Sequence, residues 1–187
     1  MKKILRKELI EKRKSLSKKD VIEKSNKIKN QLFELTEFIQ AYTILFYVSY
    51  DNEVHTHQMI KDSLILVKNV IVPISKKDDR SLILSKLERW EDLESGSYGI
   101  LEPRAEKIKE ISIDEINLII VPGVGFDKGG HRIGHGKGYY DNLLNKSNNA
   151  LHIGLAFEIQ IVKKIPIEQH DIPVDKIITE DRIINCL

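Results

Sequence analysis

Residues 42–48, Tyr42-Thr-Ile-Leu-Phe-Tyr-Val48, place β-branched, aromatic and aliphatic side chains on both sides of an extended chain. A strand solvated on one face alternates apolar with polar residues. One that does not alternate is buried on both faces, as in a parallel sheet between helices. Asn117-Leu-Ile-Ile-Val121 has the same character, and Leu151 to Phe157 reads as a further strand. Shorter strands are expected at Asn69–Pro73, Leu82–Leu87 and Lys176–Ile184. Helical spacing of apolar residues marks the segments between them. Residues 2–14 carry Ile4, Leu5, Leu9 and Ile10 on one side. Ser17 followed by Asp20 predicts the N-cap of a helix whose positions Val21, Ile22, Ile28, Leu32 and Leu35 run to about Thr36. Thr56 is placed to cap a helix to about Val67, residues 137–145 predict another, and Glu158–Lys164 a short one. Lys76–Arg80 reads as a turn and Ser95–Pro103 as a loop. Apolar strands alternating with amphipathic helices imply an α/β domain with a mainly parallel sheet covered on both faces.

In such sheets ligands gather beyond the carboxyl ends of the strands. Glu53 follows the strand that begins at Tyr42, and Val121 runs directly into Pro122–Asp141, PGVGFDKGGHRIGHGKGYYD. Seven of the ten glycines lie between Gly123 and Gly138, interleaved with Arg132, Lys137 and a tyrosine pair. Glycine at this density serves close backbone approach or positive φ, and among cations the group approached is an anion, most often a phosphate. The loop is neither of the two common nucleotide fingerprints. Lys137 is followed by Gly138 rather than Ser or Thr, and Gly134, Gly136 and Gly138 are evenly spaced. Backbone N–H groups from Gly136 to Gly138 could form a nest at the start of the helix carrying Tyr139, Tyr140 and Asp141. Arg132 offers a bidentate fork and Lys137 a mobile point charge. Asp141 is a carboxylate among cations, suited to a salt bridge or to a Mg²⁺ that bridges phosphate oxygens.

The 187 residues fit one domain with an ordinary balance of 41% apolar and 31% charged side chains. No apolar run reaches the length of a membrane span, and no apolar stretch follows the N-terminal lysines as in a signal peptide. Cys186 is the single cysteine, so no intrachain disulfide forms. These features point to the cytoplasm. A net charge of +2 argues against a dedicated nucleic-acid binder, yet residues 1–19 carry nine Lys or Arg against Glu8 and Glu11. Lys2 and Arg6, four residues apart, project from one helix face, where they either lie in solvent or reach a polyphosphate.

The loop VPGVGFDKGGHRIGHGKGYYD resembles the signature of the 5-formyltetrahydrofolate cyclo-ligase family, and the resemblance continues along nearly the whole chain. Lys2-Lys3-Ile4-Leu5-Arg6 is similar to the family's N-terminal Lys-x-x-x-Arg, which contacts ATP phosphates. Asn52-Glu-Val-His-Thr56 resembles its folate-binding segment, with Glu53 at the substrate-binding glutamate. Tyr98-Gly-Ile-Leu-Glu-Pro103 resembles a segment whose aromatic lies against the pterin. His170-Asp-Ile-Pro-Val-Asp175 resembles one whose first aspartate, here Asp171, joins Asp141 in binding magnesium. His55 stands where the family often has an acidic residue, and His135 and Lys137 occupy variable positions of the loop.

The resemblance implies a three-layer α/β/α sandwich, an architecture shared with sugar-phosphate isomerases and coenzyme A transferases. It implies one α/β domain over 1–187, whose basic N-terminal helix contributes to the ATP site. The implied reaction is ATP- and Mg²⁺-dependent closure of 5-formyltetrahydrofolate, or of its polyglutamylated form, by a monomer. ATP would be bound by residues 2–6 and by Arg132, Ile133, Gly134, His135, Gly136, Lys137, Gly138, Tyr139 and Tyr140. Arg132, Lys137, Tyr139 and Tyr140 would be catalytic, Glu53 and Tyr98 would hold folate, and Asp141 and Asp171 the metal. A phosphosugar enzyme of the same architecture is the enzymatic alternative, and would need no ATP. An RNA-binding module would interleave aromatics with the N-terminal cations, and none precedes Phe33. His55-Thr-His57 would present both imidazoles to a metal only in a strand, and no third ligand suggests itself.

Overall fold

The structure is a computed structural model that describes residues 2–76, 78, 81–96, 99–168 and 171–186. Its centre is a seven-stranded sheet. The strands are β1 (Thr43–Leu45), β2 (Asn69–Ser75), β3 (Leu82–Leu87), β6 (Leu118–Val121), β9 (Leu151–Leu155), β11 (Lys176–Ile178) and β12 (Ile183–Asn185). They lie side by side in the order β12-β11-β9-β6-β1-β2-β3. The five inner strands are parallel, with Ile44 opposite both Val70 and Leu118, and Ile120 opposite Ile153. Each edge is closed by an antiparallel hairpin, β2–β3 and β11–β12.

Alternate side chains along each strand enter two separate cores. Ile44, Phe46, Val70, Val72, Leu118, Ile120 and Ile153 meet Val21, Ile28 and Leu32 of α2 (Lys18–Glu34), Phe38 of α3 (Thr36–Gln40), and Met59 and Ile60 of α4 (His57–Ile65). Leu45, Ile71, Ile119, Val121 and Ile177 meet Leu143 and Leu144 of α5 (Tyr139–Leu144), together with Ile116 and Val174. Helices therefore cover both faces, although the second layer is thin. Burying each such side chain contributes about 1.5–3 kcal/mol.

A third cluster joins α1 (Lys2–Lys14) to a small sheet of β7 (Gly125–Asp127), β8 (Arg132–Ile133) and β10 (Ile161–Val162). Leu9 of α1 is buried there against Val124, Ile133 and Ile165, with Leu5 and Ile10 at its margin. The glycine loop is thus largely a β-hairpin, and α1 is clamped to its outer side.

Several elements depart from the sequence-based expectation for identifiable reasons. Ser17 caps α2 as expected: its hydroxyl accepts from the Asp20 N–H, and the Asp20 carboxylate accepts from the Ser17 N–H. Thr56 does not cap α4, because its hydroxyl is engaged by the Tyr47 carbonyl at 2.6 Å and the Ser49 N–H at 3.0 Å. Regular pairing in the first strand stops at Leu45, although Phe46 still donates to the Ile71 carbonyl and residues 46–48 stay buried. The expected helix at Glu158–Lys164 is a single 3-10 turn, Glu158–Gln160, followed by β10. Gln160 is drawn inward there, donating to the carbonyls of Gly123 and Val124. The Lys176–Ile184 strand is broken by Thr179-Glu-Asp-Arg182, which turns the chain back on itself. The expected loop at Ser95–Pro103 contains a hairpin, β4 (Leu93–Ser95) with β5 (Leu101–Pro103). Of the Lys76–Arg80 turn, Lys77, Asp79 and Arg80 lie outside the described residues; Lys76 donates to the Ser81 carbonyl at 2.9 Å. Among the described residues, no helix is long and apolar enough to cross a membrane.

Gly130, at the tip of the β7–β8 hairpin, has φ +81°, and a Cβ built there would meet the Val174 carbonyl oxygen at 2.2 Å. Its own carbonyl accepts from the Val174 N–H at 2.9 Å, tying the hairpin to the chain entering β11. Gly130→Ala combines positive φ with a backbone clash, and is expected to cost about 2–4 kcal/mol, lowering Tm by roughly 5–15 °C. Thermal melting followed by circular dichroism checks this, and an unchanged Tm would contradict the close approach.

Candidate active site

Strand order places the site. From β1 the chain moves to β2 and β3 on one side, then returns to β6 and continues to β9 and β11 on the other. The β1–β6 boundary is therefore the topological switch point, where diverging connections leave a crevice at the strands' carboxyl ends. A cleft of about 810 Å³ opens there, with Tyr47 and Val48 following β1 on one wall and Pro122 and Gly123 following β6 on the other.

One half of the cleft is cationic. Lys2, Lys3 and Arg6 reach it from α1, and Arg132, Ile133, Gly134, His135, Gly136, Lys137, Gly138, Tyr139, Tyr140 and Asp141 from the hairpin and α5. Helical spacing brings Lys2, Lys3 and Arg6 to this side and turns Leu5 toward the Leu9 cluster, leaving Ile4 67% exposed. Ile4 and Leu5, expected among the ATP-binding residues, do not line the cleft. The first turn of α1 holds no acidic residue. Cations at the positive end of a helix dipole disfavour the isolated helix and favour a bound anion.

Contacts remote in sequence hold this half together. Arg6 Nε donates to the Gly134 carbonyl at 2.7 Å. Lys2 Nζ lies 2.6 Å from Asp171 Oδ2 and 3.1 Å from Glu168 Oε2. Burial opposes the Lys2 charge, but the two carboxylates outweigh it and its pKa is raised. Gly136 (φ +90°) and Gly138 (φ +76°) take left-handed backbone, and Gly138 is the N-cap of α5. That helix has only six residues, so its dipole adds little. Attraction for an anion rests on the loop and its cations.

Arg132 is 8% exposed; its Nη2 donates to Asp141 Oδ1 at 2.7 Å and its guanidinium lies 5.7 Å from the centre of the Tyr140 ring. Burial lowers the Arg132 pKa, and the Asp141 carboxylate, Tyr140 and Asp171 all oppose that shift. An arginine so paired stays charged. Both Arg132 Nε and the Tyr140 hydroxyl are buried with no hydrogen-bond partner among the described residues. Burial raises the Tyr140 pKa far above its ordinary value, Glu53 raises it further and Arg132 opposes. Its hydroxyl therefore stays protonated, a donor at the cleft wall. Buried donors left unspent cost about 1–3 kcal/mol each, a cost a ligand can remove.

The other half is lined by Val48, Tyr50, Pro73, Ser75, Leu82 and Ile100, with the carboxylates of Glu53 and Glu102. Glu53 Oε2 accepts from the Tyr50 N–H at 3.0 Å, and Oε1 lies 3.7 Å from His135 Nε2. Glu102 Oε1 accepts from the Ser75 N–H at 3.2 Å. Tyr47, buried beneath, donates to the Val54 carbonyl at 2.8 Å. Tyr98 lies outside the described residues. His57 begins α4, with Nε2 2.9 Å from the Ser49 carbonyl and its ring 4.9 Å from that of Trp90.

Asp141 and Asp171 line the same cleft, each held by a cation, and both act electrostatically on Arg132. Two carboxylates beside an anion-binding loop fit Mg²⁺, which takes one or two carboxylates and completes its octahedron with phosphate oxygens and water. Pro73, Ser75, Leu82, Glu102 and Glu168 also line the cleft, although sequence reasoning did not single them out. The strand pattern of Leu82–Leu87 reads as core, and the β2–β3 pairing that turns Leu82 toward the cleft is a tertiary fact.

The α/β fold thus carries a switch-point cleft, cationic in one half and apolar with two carboxylates in the other. The chain belongs to the 5-formyltetrahydrofolate cyclo-ligase family, whose pattern it matches over residues 1–180. It is 30% identical over 187 residues to the 5-formyltetrahydrofolate cyclo-ligase of Mus musculus, covering 95% of this chain and 92% of the mouse protein. The NMR structure of Aquifex aeolicus 5,10-methenyltetrahydrofolate synthetase superposes with a TM-score of 0.87 at 32% identity, over 99% of this chain and 92% of that one. A 5,10-methenyltetrahydrofolate synthetase from Mycoplasma pneumoniae gives 0.78 at 26% identity, over 96% of this chain and 98% of that one.

Proposed function

We propose that this protein closes 5-formyltetrahydrofolate to 5,10-methenyltetrahydrofolate, consuming ATP with Mg²⁺ and releasing ADP and phosphate. The observation that supports it best is the meeting, in one cleft, of the α1 and glycine-loop cations with Glu53 and an apolar wall. ATP phosphates occupy the cationic half and the pterin lies on the apolar half.

A formyl group on nitrogen is an amide, and its oxygen is a poor leaving group. Transfer of the γ-phosphoryl group to that oxygen makes it a phosphate and leaves an electrophilic carbon. The 10-position nitrogen attacks that carbon and gives up its proton, and departure of phosphate completes the ring. Phosphoryl transfer needs alignment and charge neutralisation more than covalent help from the protein. Lys2, Arg6, Arg132 and Lys137 supply positive charge, and the Gly134–Gly138 backbone supplies N–H donors. The Tyr140 hydroxyl, protonated and unspent, is suited to donate to the oxygen on which charge develops, and Tyr139 lines the same wall. Mg²⁺ held by Asp141 and Asp171 would neutralise phosphate charge. The scheme is proposed for a monomer, with each of these residues drawn from the same chain.

Glu53 accepts hydrogen bonds from pterin nitrogens in this scheme. Glu53→Gln should weaken 5-formyltetrahydrofolate binding roughly 10- to 100-fold while nucleotide affinity does not fall and rises by no more than about fivefold. Titration calorimetry with each ligand checks both arms; unaltered folate affinity would remove Glu53 from the pterin. Tight binding of the Mg²⁺ complex of an ATP analogue also separates this function from that of a phosphosugar enzyme, which has no use for the nucleotide.

A further inference from the structure

His135 of the cationic loop approaches a carboxylate of the folate half: its Nε2 lies 3.7 Å from Glu53 Oε1. Its backbone is held from both sides. Arg6 holds the preceding carbonyl, Gly134, at 2.7 Å, and Gly136 takes up the following turn at φ +90°. Glu53 is held too, because its other oxygen accepts from the Tyr50 N–H. The facing side chains thus come from pinned backbone, His135 half-exposed and Glu53 largely covered.

We infer that the His135–Glu53 contact couples the two substrate subsites, so that binding of either substrate releases the residue the other one needs. The inference rests on the function proposed above. Folate nitrogens that take Glu53 leave His135 free to turn to phosphate, and phosphates that draw His135 away leave Glu53 free for the pterin. Both ligands break one contact, so the first to bind bears its loss and the second does not. Each substrate then raises the affinity of the other by the same factor, as linkage requires. When the imidazole carries a proton the contact is a partly exposed ion pair, which sets that factor at roughly two- to fivefold. The coupling favours a cleft that is either empty or doubly loaded, which suits a reaction whose phosphorylated intermediate water could destroy.

The test measures the dissociation constant of 5-formyltetrahydrofolate with and without the β,γ-imido analogue of ATP plus Mg²⁺, in the wild type, His135→Ala and His135→Arg. In the wild type the analogue should tighten folate roughly two- to fivefold. His135→Ala should bind folate without nucleotide that much more tightly than the wild type, and its coupling factor should fall to about one. His135→Arg, which keeps a cation facing Glu53, should retain the coupling. Folate binding in His135→Ala that is no tighter than in the wild type, or coupling that persists there, overturns the inference and leaves the proposed function standing. A wild type that binds no folate even with the analogue present overturns both.

Discussion

Arg132→Ala is expected to lower kcat/KM roughly 1,000-fold, the scale set by losing a preorganised cation at a transferring phosphoryl group. Arg132 is buried, its guanidinium is fixed by Asp141 at 2.7 Å, and its Nε has no partner among the described residues, so it is rigid and has a donor to spare. A charge preorganised in a partly desolvated site acts without reorganisation, and bulk water cannot replace it. Arg132→Lys restores the charge without the planar fork and should recover only part of the loss. Melting curves must accompany the kinetics, because truncating one partner of a largely buried pair also destabilises the fold. Asp141 keeps some solvent contact, so that cost should fall below the one expected for Gly130→Ala. Turnover within about threefold of wild type in a folded Arg132→Ala protein would take this residue out of the phosphate site.

Asp141→Asn is expected to lower kcat roughly 100-fold and to raise the Mg²⁺ concentration needed for half-maximal activity about tenfold. The two readouts separate two roles. If Asp141 only orients Arg132, the loss is the same at every Mg²⁺ concentration. If it also holds the metal, excess Mg²⁺ recovers part of the rate. An unchanged metal titration would leave the salt bridge as its whole function. Because the two side chains touch, the double variant Arg132→Ala with Asp141→Asn should be far less impaired than the product of the single losses.

The α/β class is legible in Tyr42–Val48 and Asn117–Val121, because a strand apolar on both faces has few homes other than a parallel sheet between helices. Helix α1 and the Ser17–Asp20 box are legible for local reasons of spacing and capping. What escapes the sequence is non-local. β11 pairs with β9 and β10 with β7, partners far away in the chain, and periodicity records only neighbours. In the site, the glycine loop and Arg132 are legible because cations among glycines have few structural uses. The arrival of Lys2 beside Asp171, at 2.6 Å, is written only in the fold and in the family resemblance. Within residues 2–6 helix geometry separates the side chains. Lys2, Lys3 and Arg6 face the cleft, Leu5 faces the core and Ile4 faces solvent. The His135–Glu53 contact has no signal in sequence, because neither residue type at either position calls for the other.

In the proposed function the cationic and apolar halves of one cleft act on a single pair of substrates. Incubation of the protein with 5-formyltetrahydrofolate, ATP and Mg²⁺ tests it most directly, with the methenyl product followed by absorbance and nucleotide products by chromatography. The expected products are methenyltetrahydrofolate, ADP and phosphate in equal amounts, with no product when ATP is omitted or Mg²⁺ is chelated. Folded protein that binds both substrates and forms no methenyl product, or that forms it without consuming ATP, would contradict it.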